Sequence, residues 1–185
     1  MFDISKFDEI GRVLITQEEI DARVKEMAAQ ITEDYQDSGR PLILIGILKG
    51  SVMFMTDLAR NINLPITFDF MSVSSYGLST TSSGDVRILK DLDQKIEGYD
   101  VIIVEDIIDT GYTLSYLEKN LRSRGVNSLR IAALLNKQDR RVVEVNADYI
   151  GFDIPDEFVV GYGIDYAQKY RNLPCIGIVK REVYE

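Results

Sequence analysis

Apolar positions along this chain follow two alternating patterns. In the first, they recur at helical spacing: Ile20, Val24, Met27 and Ile31 fall on one face. Thr16 with Glu19 three residues later makes a capping box, so a helix is expected to start at Thr16 and to end before Gly39 and Pro41. In the second, they run without interruption. Residues 42–48, LILIGIL, form a continuous apolar stretch of strand length, expected to be buried on both faces. Lys49-Gly50-Ser51 turns this strand into a helix near 52–60. Strands are expected at 66–74 and, beyond a polar stretch, at 86–90. Another buried strand covers 101–104, and a helix over 113–124 carries Leu114, Leu117 and Leu121 as its stripe. A strand at 131–135 and shorter ones near 149–152, 158–160 and 176–179 complete the series.

Uninterrupted apolar strands alternating with amphipathic helices imply an α/β fold, a mostly parallel central sheet flanked by helices on both faces. In such sheets ligands bind beyond the carboxyl ends of the strands, where strand order reverses. The chain has no internal repeat, low-complexity tract or proline-rich linker, and its 185 residues suit a single domain spanning 1–185.

Composition narrows the chemistry. Hydrophobic residues at 45% and charged residues at 28% are ordinary for a globular chain, but the net charge is −9. An acidic surface repels polynucleotides and anionic membranes, so neither is expected as a partner; a small anionic substrate would need a local cluster of cations. Cys175 is the single cysteine, which forbids an internal disulfide and fits a reducing, cytoplasmic setting. The opening MFDISKFDEI lacks the features of a signal peptide, and the longest apolar run, 42–48, is too short to cross a bilayer. Histidine is absent, which excludes a Ser-His-Asp triad, a Cys-His pair and histidine-ligated zinc. A general base must then be Asp, Glu, Lys, Tyr or Cys, and the 30 carboxylates put Asp or Glu first.

The most informative segment is 101–113, VIIVEDIIDTGYT. Its plain reading is a strand, an acidic turn and a helix N-cap, since carboxylates favour helix starts. Three carboxylates within five residues, Glu105, Asp106 and Asp109, nevertheless repel one another, and such a cluster needs a cation, a polyol or a proton. The loop that follows contains Gly111 and leads directly into a helix. Its backbone N–H groups can cradle a phosphate, with the Thr110 and Thr113 hydroxyls as further donors. Carboxylates beside it can accept hydrogen bonds from vicinal sugar hydroxyls. Together these features describe a site for a ribose 5-phosphate.

This segment closely resembles the phosphoribosyl-pyrophosphate motif of the type I phosphoribosyltransferases, and its EDIIDTG core is similar to the hypoxanthine–guanine branch. The resemblance runs over nearly the whole chain. Leu48-Lys49-Gly50-Ser51 resembles that branch's pyrophosphate turn, in which the peptide before the lysine is cis. Ser75-Tyr76-Gly77 resembles the start of its mobile lid. Lys137, Phe158-Val159 and Asp165 fall where the branch recognises purine, and Arg171 where it contacts pyrophosphate. The resemblance implies the type I fold with a small hood subdomain, Mg²⁺ as cofactor, and 6-oxopurine and phosphoribosyl pyrophosphate as substrates. It also implies a homodimer or homotetramer. Some relatives have Lys in place of Tyr112, which puts a side-chain contact from that position to phosphate in doubt.

Each smaller piece has a bland reading as well. Lys49 before Gly50 is not a Walker A arrangement and on its own describes a strand-to-helix turn with a solvated lysine. Residues 72–84 could be a plain hairpin loop, but loops of that length are uncommon unless functional. A lid there would keep an activated ribosyl centre from water, with Tyr76 as its one aromatic group. Lys137 sits among Gln138, Asp139, Arg140 and Arg141 as a surface lysine would, Phe158 could be core, and Asp165 and Arg171 could be surface charges.

Read through the resemblance, Glu105 and Asp106 hold the ribose hydroxyls and, with Asp165, the metal. Asp109, Thr110, Gly111, Tyr112 and Thr113 hold the 5-phosphate, and Lys49, Gly50 and Arg171 the pyrophosphate. Lys137, Phe158, Val159 and Asp165 hold the base, Ser75 and Tyr76 belong to the lid, and Asp109 handles the proton. Two other classes compete. A receiver domain would place its acidic pair after the first strand of a shorter chain, whereas here it is at 105–106. A regulatory RNA-binding protein on the same fold would need a basic face, against the −9 charge.

Overall fold

Seven apolar residues in a row leave no polar face, so the segment Leu42–Leu48 can only be covered on both sides, and it forms a central strand with six of its seven residues buried. The computed structural model describes residues 3–75 and 86–184. In chain order the strands are β1 (Ile10–Ile15), β2 (Leu42–Leu48), β3 (Ile66–Ser75), β4 (Val86–Lys90), β5 (Asp100–Ile108), β6 (Ser128–Asn136), β7 (Tyr149–Asp153), β8 (Val159–Val160) and β9 (Ile176–Val179). The helices are α1 (Gln17–Tyr35), α2 (Val52–Asn61), α3 (Tyr112–Arg122) and α4 (Arg181–Tyr184).

The main sheet has the order β4-β3-β2-β5-β6-β7. It is parallel except for β4, which returns antiparallel to β3 at the edge. Strand alternation sorts the core into two layers. Leu42, Leu44, Ile102, Val104, Ala132 and Leu134 pack with α1 and α2, through residues such as Val24, Met27 and Phe54. Ile43, Ile45, Val101, Ile103, Ile131 and Ala133 pack with Leu114, Leu117 and Leu121 of α3. Thr16 and Glu19 close the expected capping box on α1, with Thr16 as N-cap.

A second, three-stranded antiparallel sheet, β1-β9-β8, forms the hood. Its strand β1 and the helix α4 were not anticipated. Two shifts of expected boundaries bear on the site. Residues 101–104 are only the middle of β5, which runs on through Glu105 and Asp106 to Ile108; the acidic pair therefore lies within the strand, paired to β6 up to Ile108↔Asn136, and not in a turn. The strand expected at 158–160 shortens to Val159–Val160, leaving Phe158 just outside it.

Candidate active site

The site lies where β2, β5 and β6 end. β5 delivers its carboxylates, and the chain then turns through Asp109, Thr110 and Gly111 into α3. Gly111 is the N-cap of α3 at φ 90°, a backbone state that L side chains rarely adopt, and a Cβ there would stand 2.4 Å from the Val143 carbonyl oxygen. The helix therefore begins without a side-chain cap, and the N–H groups of its first turn, which no helix can pair internally, face out of its N-terminus. A small pocket there is lined by Glu105, Asp109, Thr110, Gly111 and Thr113. Tyr112 leaves much of its ring in solvent.

The loop is held from behind. The N–H groups of Val142 and Val143 both donate to the Thr110 carbonyl at 3.0 Å. Arg141 donates from Nε to the Asp109 carbonyl at 3.1 Å, from one terminal nitrogen to the Val145 carbonyl at 2.8 Å, and from the other to Asn136 Oδ1 at 2.5 Å. Three bonds from one planar guanidinium tie it to the loop backbone and to the end of β6, so Arg141 shapes the phosphate loop from behind.

Because neighbouring strand residues point to opposite faces, Glu105 and Asp106 part company. Glu105 lines the loop pocket. Its Oε2 is sealed from solvent and accepts no hydrogen bond among the described residues; burial, with the charge of Asp106 second, holds this carboxyl well above the usual range. Asp106 faces the turn after β2. Burial pushes it up to about 6, Asp165 adds to the rise, and the backbone N–H of Ile107 and the charge of Arg171 oppose it.

The turn itself carries Lys49, joined to Leu48 by a cis peptide. Gly50 is pressed so closely on Asp106 that a Cβ would lie 1.5 Å from the carboxylate Oδ2. On its other side Gly163, in the hood, leaves no room for a Cβ against the Gly50 carbonyl oxygen, 1.9 Å away. The hood supplies the remaining cation: Arg171 pairs with Asp165 at 2.7 Å and donates to the Gly163 carbonyl at 2.7 Å. The Gln168 side-chain oxygen lies between the two cationic groups, 3.3 Å from Lys49 Nζ and 3.4 Å from Arg171. Its backbone N–H donates to Asp165 Oδ2 at 2.8 Å. The local cation cluster that an acidic chain would need for an anion is therefore present.

At the end of β6, Lys137 is only 8% exposed, unlike the solvated lysine its polar neighbours suggest. Its N–H donates to the Ile108 carbonyl at 2.9 Å, and its Nζ lies 3.5 Å from Asp156 Oδ1. Arg140 places Nε 2.9 Å from Asp109 Oδ1 and its Nη1 3.6 Å from Asp156. Phe158 is half-buried and Val159 buried where β8 meets β9. Of the lid residues, Ser75 ends β3, and Tyr76 lies outside the described residues. Arg140, Arg141, Asp156 and Gln168 had no separate signal in the sequence. They act through contacts between segments, and a charge in a polar run looks the same with or without such a contact.

Among the described residues no three Asp, Glu or Cys side chains converge as a metal cage. Glu105, Asp106 and Asp165 supply hard oxygen donors, one of them unpartnered, without closing a shell. Magnesium suits this arrangement, because it commonly takes one or two carboxylates and completes its octahedron with water and substrate phosphate.

The family model for the phosphoribosyl transferase domain matches residues 15–167. This chain belongs to the phosphoribosyltransferase family. Curated members of that family similar to it include the hypoxanthine-guanine phosphoribosyltransferase of Bacillus subtilis, 54% identical and covering 96% of this chain and 97% of its own length. The Mycobacterium avium enzyme of the same name is 54% identical, covering 96% and 89%. Among solved phosphoribosyltransferases, a hypoxanthine phosphoribosyltransferase from Staphylococcus aureus superposes with a TM-score of 0.93 at 51% identity, over 100% of this chain and 99% of that one. One from Trypanosoma cruzi, in complex with the product IMP, gives 0.91 at 46% identity over 96% and 98%.

Proposed function

We propose that this chain is a purine-salvage transferase that moves the 5-phosphoribosyl group from phosphoribosyl pyrophosphate to hypoxanthine or guanine, giving IMP or GMP and pyrophosphate. The observation that carries this reading is one sheet edge holding three complementary pieces: the Glu105 pocket with its phosphate loop, the Lys49–Arg171 cation pair, and a buried ammonium at Lys137. The relatives named above act on the same substrate class.

The 5-phosphate rests on the backbone of Asp109 to Thr113, and Glu105 and Asp106 accept hydrogen bonds from the ribose hydroxyls. As the bond from C1 to the pyrophosphate oxygen breaks, positive character develops on the ribose and negative charge on the leaving group. The two carboxylates offset the first; Lys49, the Gly50 amide and Arg171 offset the second. Glu105, Asp106 and Asp165 would hold Mg²⁺ together with substrate oxygens, and the ion would supply further neutralisation of the polyanion. The purine attacks C1 through its N9 lone pair, and Asp109 takes the proton that N7 releases. Lys137 donates to the exocyclic oxygen at position 6, while Phe158 offers a stacking face and Val159 backbone groups to the base.

A regulatory RNA-binding role finds no support in a chain of net charge −9. The enzyme is expected in the cytoplasm as a homodimer or homotetramer; no helix among the described residues is long and apolar enough to cross a membrane. The deciding experiment is the measurement of kcat/KM for hypoxanthine, guanine and xanthine with phosphoribosyl pyrophosphate. Nucleotide formation from a 6-oxopurine supports the assignment, and none from any of the three removes it.

A further inference from the structure

The aromatic ring assigned to the purine platform is not free on both sides. Tyr184, in α4, stacks on Phe158 with ring centroids 4.9 Å apart and planes 24° from parallel. Tyr166 meets the same ring edge-on, at 5.5 Å and 89°. These contacts are braced by the backbone. The Tyr166 hydroxyl donates to the Val183 carbonyl at 2.9 Å, fixing the residue beside Tyr184, and the Val183 N–H donates to the Lys180 carbonyl at 3.0 Å. The Val179 N–H donates to the Phe158 carbonyl at 2.9 Å, so the strand that leads into α4 is tied to the platform residue itself. Phe158, Tyr166 and Tyr184 all pack against the hood core around Val160, Leu173 and Val179. The hood thus builds a three-ring cluster in which one face of Phe158 is spoken for.

We infer that Tyr184 is a positioning residue for base recognition: it backs Phe158 from the hood side, sets the tilt of that ring, and leaves the opposite face for the purine. The inference rests on the reading of Phe158 as the base platform. Offset stacking depends on ring tilt and separation, so a platform without its backing ring would still be apolar but would no longer be presented at one angle. In this role Tyr184 would touch neither the base nor the reacting atoms, so its effect should appear in base binding and spare the donor.

The test is the KM for hypoxanthine and for phosphoribosyl pyrophosphate in Tyr184→Ala, Tyr184→Leu, Tyr184→Phe and Phe158→Ala, with thermal unfolding measured alongside. Tyr184→Ala and Tyr184→Leu should raise the hypoxanthine KM about three- to tenfold, the range that loss of one aromatic pair implies, with the donor KM unchanged. Tyr184→Phe should restore the wild-type value, because the ring matters and the hydroxyl does not. Leucine keeps apolar bulk, so a Leu variant with a wild-type KM would show that packing alone suffices and would overturn the inference. A lower hypoxanthine KM in Tyr184→Ala would place Tyr184 on the purine's own face and overturn it equally. An equal rise in both KM values would mark general loosening of the hood and count against it. Phe158→Ala separates the two readings: an unchanged hypoxanthine KM there removes the platform assignment and this inference with it, whereas a rise there without one in Tyr184→Ala removes only the role of Tyr184.

Discussion

Arg140 sets its Nε 2.9 Å from Asp109 Oδ1, an ion contact not aligned as a hydrogen bond, and that oxygen has no other partner among the described residues. The carboxylate is thus placed electrostatically through a sealed Oδ1, while the rest of its side chain stays exposed and its other oxygen is left for a proton on the base. Asp109→Asn keeps the shape and removes the proton acceptor. It should lower kcat by about 10²- to 10⁴-fold with little change in the donor KM. Glu105→Gln should instead raise the donor KM, since Glu105 lines the sugar-phosphate pocket. Steady-state kinetics with varied phosphoribosyl pyrophosphate decide the matter, and indistinguishable variants would end this division of roles.

Gly50→Ala should be among the most damaging small substitutions in the protein. Its Cβ would fall 1.5 Å from Asp106 Oδ2, so the carboxylate or the turn must move. Overpacking of this kind typically destabilises by about 1–3 kcal/mol. The donor KM should rise more than the hypoxanthine KM. A variant with wild-type kinetics would mean that the turn adjusts freely.

Lys137 should discriminate 6-oxo from 6-amino purines. Hypoxanthine and guanine present an acceptor at position 6, whereas adenine presents N–H groups that would face the buried ammonium and leave it only its contact with Asp156. That loss is about 1–3 kcal/mol, enough for roughly tenfold or greater rejection of adenine. In Lys137→Gln the amide can turn its oxygen inward, so activity on hypoxanthine should fall and the gap to adenine should narrow. The comparison is kcat/KM for the two bases in both proteins; an unchanged ratio removes Lys137 from specificity.

Turnover should require a divalent cation, because the carboxylates of β5 meet a polyanionic donor. The assay is activity in excess EDTA, restored by added Mg²⁺. Full turnover under EDTA would dismiss the metal.

Stability should fall at alkaline pH, and tyrosines set the window. The Tyr162 hydroxyl donates to Asp57 Oδ2 at 2.6 Å, and that of Tyr149 to Asp34 Oδ2 at 2.6 Å. Burial first, then the carboxylate partner, holds both phenols well above their ordinary value. Because the folded values lie above the unfolded value of about 10, the folded chain binds more protons there. The stabilisation is complete below about pH 10 and is lost as pH rises toward the folded values. Melting midpoints should be flat to that point and then drop. Tyr162→Phe should drop less steeply, and an unaltered slope would exclude Tyr162 as a contributor.

The sequence made the main sheet legible because burial on both faces forces uninterrupted apolar runs, and it made the β5 chemistry legible because three carboxylates and a glycine fall within seven residues. It showed the hood only in part. Strands near 158–160 and 176–179 were legible, but β1 is short and pairs with β9, more than 160 residues away, so it has no local pattern to betray it. The loop scaffold was hidden for a related reason: Arg141 reaches backbone carbonyls at Asp109 and Val145, acceptors that every residue carries. The expected end of β5 at residue 104 came from taking polarity as the end of a strand. Backbone pairing to β6 carries on beneath Glu105 regardless of side chain.

That continuation has a consequence for how the chain can change. The core residues Val101 to Val104 of β5 alternate with a two-residue period, with Ile103 packed toward α3, Val104 toward α1 and α2, and the acids next in line. A single-residue insertion or deletion ahead of Glu105 would therefore invert hydrophobic packing and exchange the positions of the two acids in the same event. No compensating substitution at one site could repair both. Length variation should be tolerated in surface connections such as residues 91–98, and purged within β5.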